Sequence, residues 1–438
     1  MRITVIGTGY LGATHAACMA AIGHDVLGVD IDPDRITALT AGQLPFYEPG
    51  LGDLLTEQTQ TGRLRFTDSY EEAAAFGEVH FVCVGTPQRG DSGAADVSHL
   101  DAAIDSLAPH LHRPCLVVGK STVPVGTAAR LAERLATAAP VGAGATLAWN
   151  PEFLREGFAV ADTLHPDRLV LGVSAQAPQA EAALREVYAP LDPQPPFVVT
   201  DLATAELVKV SANAFLATKI SFINAMAEVC EATGADVVQL GRALSYDTRI
   251  GGRFLGPGVG FGGGCLPKDI RAFQARAEEL GVGHALRFLH EVDAINLRRR
   301  ERVVELTTEL CGGGLAGRRI AVWGAAFKPD SDDVRDAPAL TVAARLHALG
   351  AEVSLYDPKA MDNARKLQPQ LGYATDALAA ADGAHAVVLL TEWPEFRDLD
   401  PAAVAAVVAR PVVVDGRNAL DRERWERGGW TYRALGRP

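Results

Sequence analysis

The sequence predicts an α/β protein: two Rossmann-like, doubly wound domains joined by a long central helix and a helical region suited to dimerisation. Strand, glycine loop, helix and strand follow one another at the N-terminus, from Arg2 to Asp30. A proline-free helical pattern runs from about Ala203 to Thr233. Near Arg318 the chain repeats its opening, with Arg319-Ile320-Ala321-Val322-Trp323-Gly324 as a strand meeting glycine and Leu349 to Pro358 echoing Ile22 to Asp30. A strand that feeds a helix and returns parallel to itself is the unit from which doubly wound sheets are made. Domain limits are expected at residues 1–200, 201–311 and 312–438, with the Gly312 to Gly314 cluster as the linker into the last of them.

A chain of 438 residues has room for about three such units, and 48% hydrophobic with 22% charged residues is an ordinary globular composition. The net charge of −13, without a long run of lysine or arginine, argues against nucleic acid or an anionic membrane as partner. An anionic substrate would then be met by local basic residues. The six cysteines have neither paired nor metal-type spacing, which points away from a disulfide framework or a metal site and towards a reducing compartment. Met1 leads directly into a strand of the fold, and no apolar run approaches the roughly 20 residues of a membrane span. A cytoplasmic protein is expected.

In the opening unit, Arg2 to Ile6 reads as a buried strand, Gly7-Thr8-Gly9-Tyr10-Leu11-Gly12 as the loop, and an alanine-rich stretch to about Ile22 as the helix. Gly7 makes the tight turn, Gly9 lets a pyrophosphate approach the backbone, and Gly12 lets helix and strand pack. The helix N-terminus faces the phosphates. Val26 to Val29 is a second strand that ends in Asp30, 18 residues after Gly12, where a dinucleotide fold places the acid that takes the ribose hydroxyls. Asp30, Asp32 and Asp34 together would repel a 2′-phosphate, so NAD is the expected cofactor rather than NADP. Arg35 is either a solvated surface residue or an adenosine contact.

Ligands in open parallel sheets bind beyond the carboxyl ends of strands. Val79 to Val84 runs into Gly85-Thr86-Pro87, and Cys115 to Val118 into Gly119-Lys120-Ser121-Thr122-Val123-Pro124. Thr86 and Thr122 are therefore placed to meet cofactor or substrate, although position alone equally allows Thr122 to cap the helix after it. Glu152, between Pro151 and Phe153, is either an active-site acid or a surface residue.

On the long helix, Lys209 and Asn213 stand at i and i+4 on one face. Set between Val208 and Val210, Lys209 is a candidate to stabilise a developing oxyanion; the alternative is an ordinary solvated lysine. So long and apolar a helix has more surface than one domain covers, so it is expected to span between domains and carry a dimer interface.

Gly260-Phe261-Gly262-Gly263-Gly264-Cys265-Leu266-Pro267-Lys268-Asp269 then sets one cysteine in a glycine-rich loop. Glycines let a substrate and the backbone approach the sulfur, Lys268 favours the thiolate, and Asp269 is placed to handle a proton or a water. A buried structural cysteine would need neither the glycines nor a Lys-Asp pair beside it. The second Rossmann-like half lacks the glycine fingerprint, having Ala325-Ala326-Phe327-Lys328-Pro329 in its place, and closes a later strand with Asp415-Gly416-Arg417. It reads as built for a different phosphate-bearing ligand, with Lys328 and Arg417 as basic contacts.

Together these segments resemble the UDP-glucose/GDP-mannose dehydrogenase family over essentially the whole chain: Gly7 to Gly12 with Asp30, Gly85-Thr86-Pro87, Ser121-Thr122-Val123-Pro124, Pro151-Glu152-Phe153-Leu154, Lys209 with Asn213, the Cys265 loop, Phe327-Lys328 and Asp415-Gly416-Arg417. His165-Pro166-Asp167-Arg168 is more similar to the UDP-glucose branch than to the GDP-mannose branch, with dTDP-glucose, GDP-mannose or another nucleotide sugar as the alternative substrate. The resemblance implies oxidation of a sugar C6 hydroxyl to a carboxylate with two NAD and no release of the aldehyde. By it, Cys265 is the nucleophile, Lys209 and Asn213 steady the oxygen at C6, Asp269 and Thr122 hold a water, and Glu152 transfers protons. Gly7, Gly9, Tyr10, Leu11, Gly12, Asp30, Arg35, Thr86, Thr122, Lys268 and Arg335 are implied for the cofactor. Glu152, Phe153, Leu154, Arg155, Lys209, Asn213, Phe254, Leu255, Gly262, Phe327, Lys328 and Arg417 are implied for the substrate. Arg249 is implied to reach the substrate site of the second subunit of a homodimer.

Overall fold

A computed structural model describes residues 1–438. The chain forms two compact units, Met1–Ala212 with Arg271–Gly283, and Asn213–Ile270 with His284–Pro438. Each is built around a sheet of Rossmann type, and the helix Leu202–Thr233 joins them.

The first unit carries β1 (Arg2–Ile6), β2 (Asp25–Val29), β3 (Leu64–Thr67), β4 (Val79–Val82), β5 (Cys115–Gly119), β6 (Ala145–Trp149), β7 (Leu169–Gly172) and β8 (Phe197–Thr200). They lie in the order β3-β2-β1-β4-β5-β6-β7-β8, parallel except between β6 and β7. The reversal of order between β1 and β4 is the switch point at which such sheets bind ligands. Side chains alternate along β1: Ile3 and Val5 pack on one face with Ala16, Ala17 and Met19 of the helix Tyr10–Ala21. Ile6 packs on the other face with Leu100, Ile104, Leu131 and Leu135. Both faces are thus covered by helices, which is why these strands read as continuous apolar runs.

The second unit repeats the plan with β9 (Arg319–Trp323), β10 (Glu352–Tyr356), β11 (Gly372–Tyr373), β12 (Ala386–Leu389), β13 (Val412–Asp415) and β14 (Thr431–Ala434), in the order β11-β10-β9-β12-β13-β14. Trp323 stacks on Phe396 with ring centroids 5.7 Å apart in its core. The echo between the two halves is physical. Asp30 after β2 accepts the Thr8 amide at 2.7 Å, and Asp357 after β10 accepts the Ala325 and Ala326 amides at 2.8 and 3.0 Å. In each half an acid at the end of the second strand ties down the loop after the first. No helix is long and apolar enough to cross a membrane.

Candidate active site

Of the three glycines of the first loop, Gly7 and Gly12 are required by the geometry of the fold. Gly7 has φ +83°, the left-handed region that a side chain rarely tolerates. A Cβ on Gly12 would lie 1.8 Å from the Gly7 carbonyl oxygen, whereas Gly9 faces open space. The helix Tyr10–Ala21 begins at Gly9 with no side chain capping it, so its first amides are available to an anion. These are the properties a dinucleotide pyrophosphate needs. Asp30 is buried and accepts from the Thr8 amide and hydroxyl, the Asp32 amide and the Arg35 guanidinium, the last at 3.0 Å. Burial alone would raise its carboxyl, but the Thr8 amide, Arg35 and Asp32 outweigh that and hold it below the ordinary carboxylate value. Arg35 is therefore tethered to the acid rather than loose in solvent.

Tyr10 and Leu11 head the same helix. The Tyr10 hydroxyl donates to Glu48, whose oxygens also accept the Gly157 and Ala159 amides at 2.6 and 2.7 Å. Glu48 thus ties the glycine loop to the segment after Glu152. Glu48 leaves no local signal in the sequence, because the amides it holds lie 109 and 111 residues away.

Still within the first unit, Lys209 is 4% exposed and its Nζ lies 3.0 Å from Oε1 of Glu152. It also sits 5.6 Å from the Phe153 ring centroid. The solvated reading of Lys209 is excluded by this burial. The Glu152 side chain is 12% exposed, and its Oε2 accepts the Leu154 amide at 2.6 Å; it is no surface residue. Arg155 turns instead to Asp162, at 2.6 Å. Thr122 does not cap the following helix, which begins at Thr127 after Gly126. Its carbonyl accepts the Thr86 hydroxyl at 2.8 Å, joining the turns that follow β4 and β5.

In the second unit, Cys265 is the one exposed cysteine; the other five are buried. Burial pushes the Cys18 and Cys83 thiols up to about 12. Cys265 instead stands immediately before the helix Leu266–Glu279, with its carbonyl accepting the Asp269 amide at 3.0 Å. The first turn of that helix brings Lys268 and Asp269 within four residues of the thiol. Asp269 is 2% exposed. Its Oδ1 meets Lys268 Nζ at 2.5 Å, and its Oδ2 accepts from Asn213 Nδ2 at 2.6 Å. Asn213 lies one helical turn beyond Lys209 on the long helix.

The glycines before Cys265 also serve the packing of the second unit. A Cβ on Gly262 would lie 2.3 Å from the Asp336 carbonyl oxygen, one on Gly263 would press on the Phe327 ring at 2.9 Å, and one on Gly264 would meet the Arg335 guanidinium at 2.2 Å. The small residues admit the Phe327–Asp336 segment. That segment is latched by the Gly263 amide on the Arg335 carbonyl at 2.9 Å and the Gly264 amide on Asp333 at 3.2 Å. Arg417 fastens the same loop, donating to the Gly260 carbonyl at 2.9 Å and the Phe327 carbonyl at 3.0 Å. Lys328 lies 5.5 Å from the Phe327 ring centroid. Phe254 holds a left-handed φ of +65°, a strained conformation for an aromatic residue, while the next side chain, Leu255, is buried against Ile223 and Val237. Arg249 stands apart from all of these, 87% exposed and paired with Asp247 at 2.6 Å.

Family models and relatives cover most of the chain. Residues 1–192, 203–298 and 321–422 match the NAD binding, central and UDP binding domains of the UDP-glucose/GDP-mannose dehydrogenase family. The chain is 43% identical over 439 residues to UDP-glucose 6-dehydrogenase of Rhizobium meliloti, covering 100% of both chains. It is 42% identical over 448 residues to the enzyme of that name from Pseudomonas aeruginosa, covering 100% of this chain and 98% of the other. The solved UDP-glucose dehydrogenase of Pyrobaculum islandicum superposes with a TM-score of 0.91 at 38% identity, over 100% of this chain and 98% of that one. The chain belongs to the UDP-glucose/GDP-mannose dehydrogenase family of NAD-dependent oxidoreductases.

Proposed function

We propose that this enzyme oxidises the C6 hydroxyl of UDP-glucose to the carboxylate through a covalent intermediate on Cys265. The observation that carries the reading is the exposed Cys265 thiol at the head of a helix, with the buried Asp269 one turn on, held by Asn213 and the half-buried Lys268. Held by the Gly7 to Gly12 loop and Asp30, NAD would supply the hydride acceptor that two successive oxidations at C6 require. After the first, the Cys265 thiolate adds to the aldehyde carbon; a carbon–sulfur bond forms and the carbonyl oxygen becomes an alkoxide. The Lys209 ammonium and the Asn213 amide hold that charge. After the second oxidation the adduct is a thioester. Water placed by Asp269 and Thr122 attacks it, the carbon–sulfur bond breaks, and the thiolate leaves. Glu152, beside Lys209, moves the proton released and taken up in the covalent steps. Each sugar thus consumes two NAD and one water.

Gly7 to Gly12, Asp30, Arg35, Thr86 and Arg335 serve the cofactor. Phe153, Leu154, Arg155, Phe254, Leu255, Gly262, Phe327, Lys328 and Arg417 serve the nucleotide sugar. A homodimer suits the long helix, on which Phe215, Phe222 and Val229 recur at seven-residue spacing as exposed apolar side chains, and in it the exposed Arg249 would leave Asp247 to reach the site of the second subunit. Phe222→Glu should convert the dimer to monomer in sedimentation; an unchanged mass would remove this face from the interface.

The function is tested by NADH yield over UDP-glucose, dTDP-glucose and GDP-mannose. Two NADH per UDP-glucose, with UDP-glucose turned over fastest, is the expected result. One NADH per sugar would mean a simple alcohol dehydrogenase with no use for Cys265.

A further inference from the structure

Thr122 lies on a turn whose position is not set by that turn alone. The helix after it, Thr127–Ala138, begins at Gly126 in a left-handed conformation of φ +97°, with no side chain of its own to satisfy the first amides. The carboxylate of Glu206, 2% exposed, takes that place from another helix. Its Oε2 accepts the Gly126 amide at 2.7 Å and its Oε1 the Ala128 amide at 2.6 Å. Glu206 stands one turn before Lys209 on the long helix. The same turn is held by Arg276, whose Nε donates to the Val125 carbonyl at 3.0 Å, and by the Thr86 hydroxyl on the Thr122 carbonyl at 2.8 Å. A buried carboxylate receiving two backbone amides at the positive end of a helix is a stiff connection, because removing either bond strands a buried donor.

We infer that Glu206 is a positioning residue: its carboxylate is the brace through which the helix bearing Lys209 fixes the turn bearing Thr122. Nothing in the reaction as derived above uses Glu206 directly. The proposal rests on the assignment of Thr122 to the active site. Through the brace, the residue that steadies the oxygen at C6 and the residue that holds the water are kept in one frame.

Glu206→Gln keeps the shape but replaces one acceptor with a donor facing an amide. Turnover of UDP-glucose should fall about 10-fold or more, while KM for UDP-glucose changes less than about 3-fold. In a Thr122→Ala background the same substitution should cost less than about 2-fold, since the group it positions is already gone. Hydrogen exchange at Gly126 and Ala128 should quicken in Glu206→Gln while exchange in β1 and β4 stays as in wild type. Should Glu206→Gln fail to fold, Glu206→Asp, which retracts the carboxylate by one methylene, carries the same comparison. Full, multiplicative losses in the double variant, or wild-type turnover in Glu206→Gln, would overturn the brace. Wild-type turnover in Thr122→Ala alone would instead overturn the assignment of Thr122, and the two failures are distinct.

Discussion

Asn213 donates its side-chain amide to the buried Asp269 carboxylate at 2.6 Å, four residues after Cys265, and Lys268 occupies the other oxygen at 2.5 Å. Both carboxylate oxygens are therefore spoken for by donors, one neutral and one charged. Asp269→Asn should lower turnover by about 10²-fold or more, the range for loss of a proton-handling group, with far-UV circular dichroism unchanged. A variant with wild-type turnover would reduce Asp269 to a structural partner of Lys268.

The pairing of Lys209 with Glu152 makes a second prediction. Lys209→Ala removes the positive charge at the oxygen of C6 and should lower kcat by about 10²-fold or more, with a smaller effect on KM. Intact kcat would show that Lys209 serves only to neutralise Glu152.

Cofactor choice follows from Asp30, held ionised by the Thr8 amide and Arg35, with Asp32 beside it. NAD should support turnover far better than NADP. Since Arg35 is tied to both acids, Asp30→Ala should free it and narrow the gap. Equal rates with both cofactors in the wild-type enzyme would contradict the assignment of Asp30 to the ribose.

Both Rossmann-like halves were legible in the sequence, because parallel strands buried on two faces leave apolar runs and the loops after them need glycine or small residues. The second half was recognised without its glycine fingerprint, since Tyr356-Asp357 repeats the strand-ending acid of Val29-Asp30 and does the same work. Lys209 and Thr122 each have an ordinary alternative in the sequence, and the structure removes both: Lys209 is buried, and the helix cap that Thr122 could have supplied comes from Glu206. Long-range partners of this kind leave no local pattern. Glu206 and Glu48 hold amides 78 and 111 residues away in sequence, distances at which spacing carries no signal. The glycines before Cys265 have a packing role that the sequence does not reveal. They answer to Phe327, Arg335 and Asp336, which only the folded second unit brings against them.

Glu206 should also leave a mark on pH dependence. Burial raises its carboxyl to about 7, against the lowering effect of the Ala128 and Gly126 amides and of Arg276, the charged side chain acting on it. As pH falls through about 7 the group protonates, an acceptor is lost, and turnover should fall on the acid side. Glu206→Gln should lack that limb. For stability the sign is opposite: a raised folded-state value means that the fold holds the proton more tightly than the unfolded chain. The contribution is fully present below the ordinary value of 4.5 and is lost as pH rises through about 7. The Tm of wild type should therefore decline relative to Glu206→Gln between about pH 5 and about pH 8. Parallel curves would show that Glu206 does not titrate in this range.

Covalent chemistry at Cys265 is tested most directly by intact-protein mass spectrometry of Cys265→Ser after incubation with NAD and UDP-glucose. Serine keeps the shape but replaces a good leaving thiolate with a poor alkoxide, so the covalent steps proceed and hydrolysis of the resulting ester becomes very slow. The variant should gain the mass of the oxidised sugar nucleotide, and Cys265→Ala should gain nothing. Both variants turning over like wild type, with no added mass on either, would contradict the account.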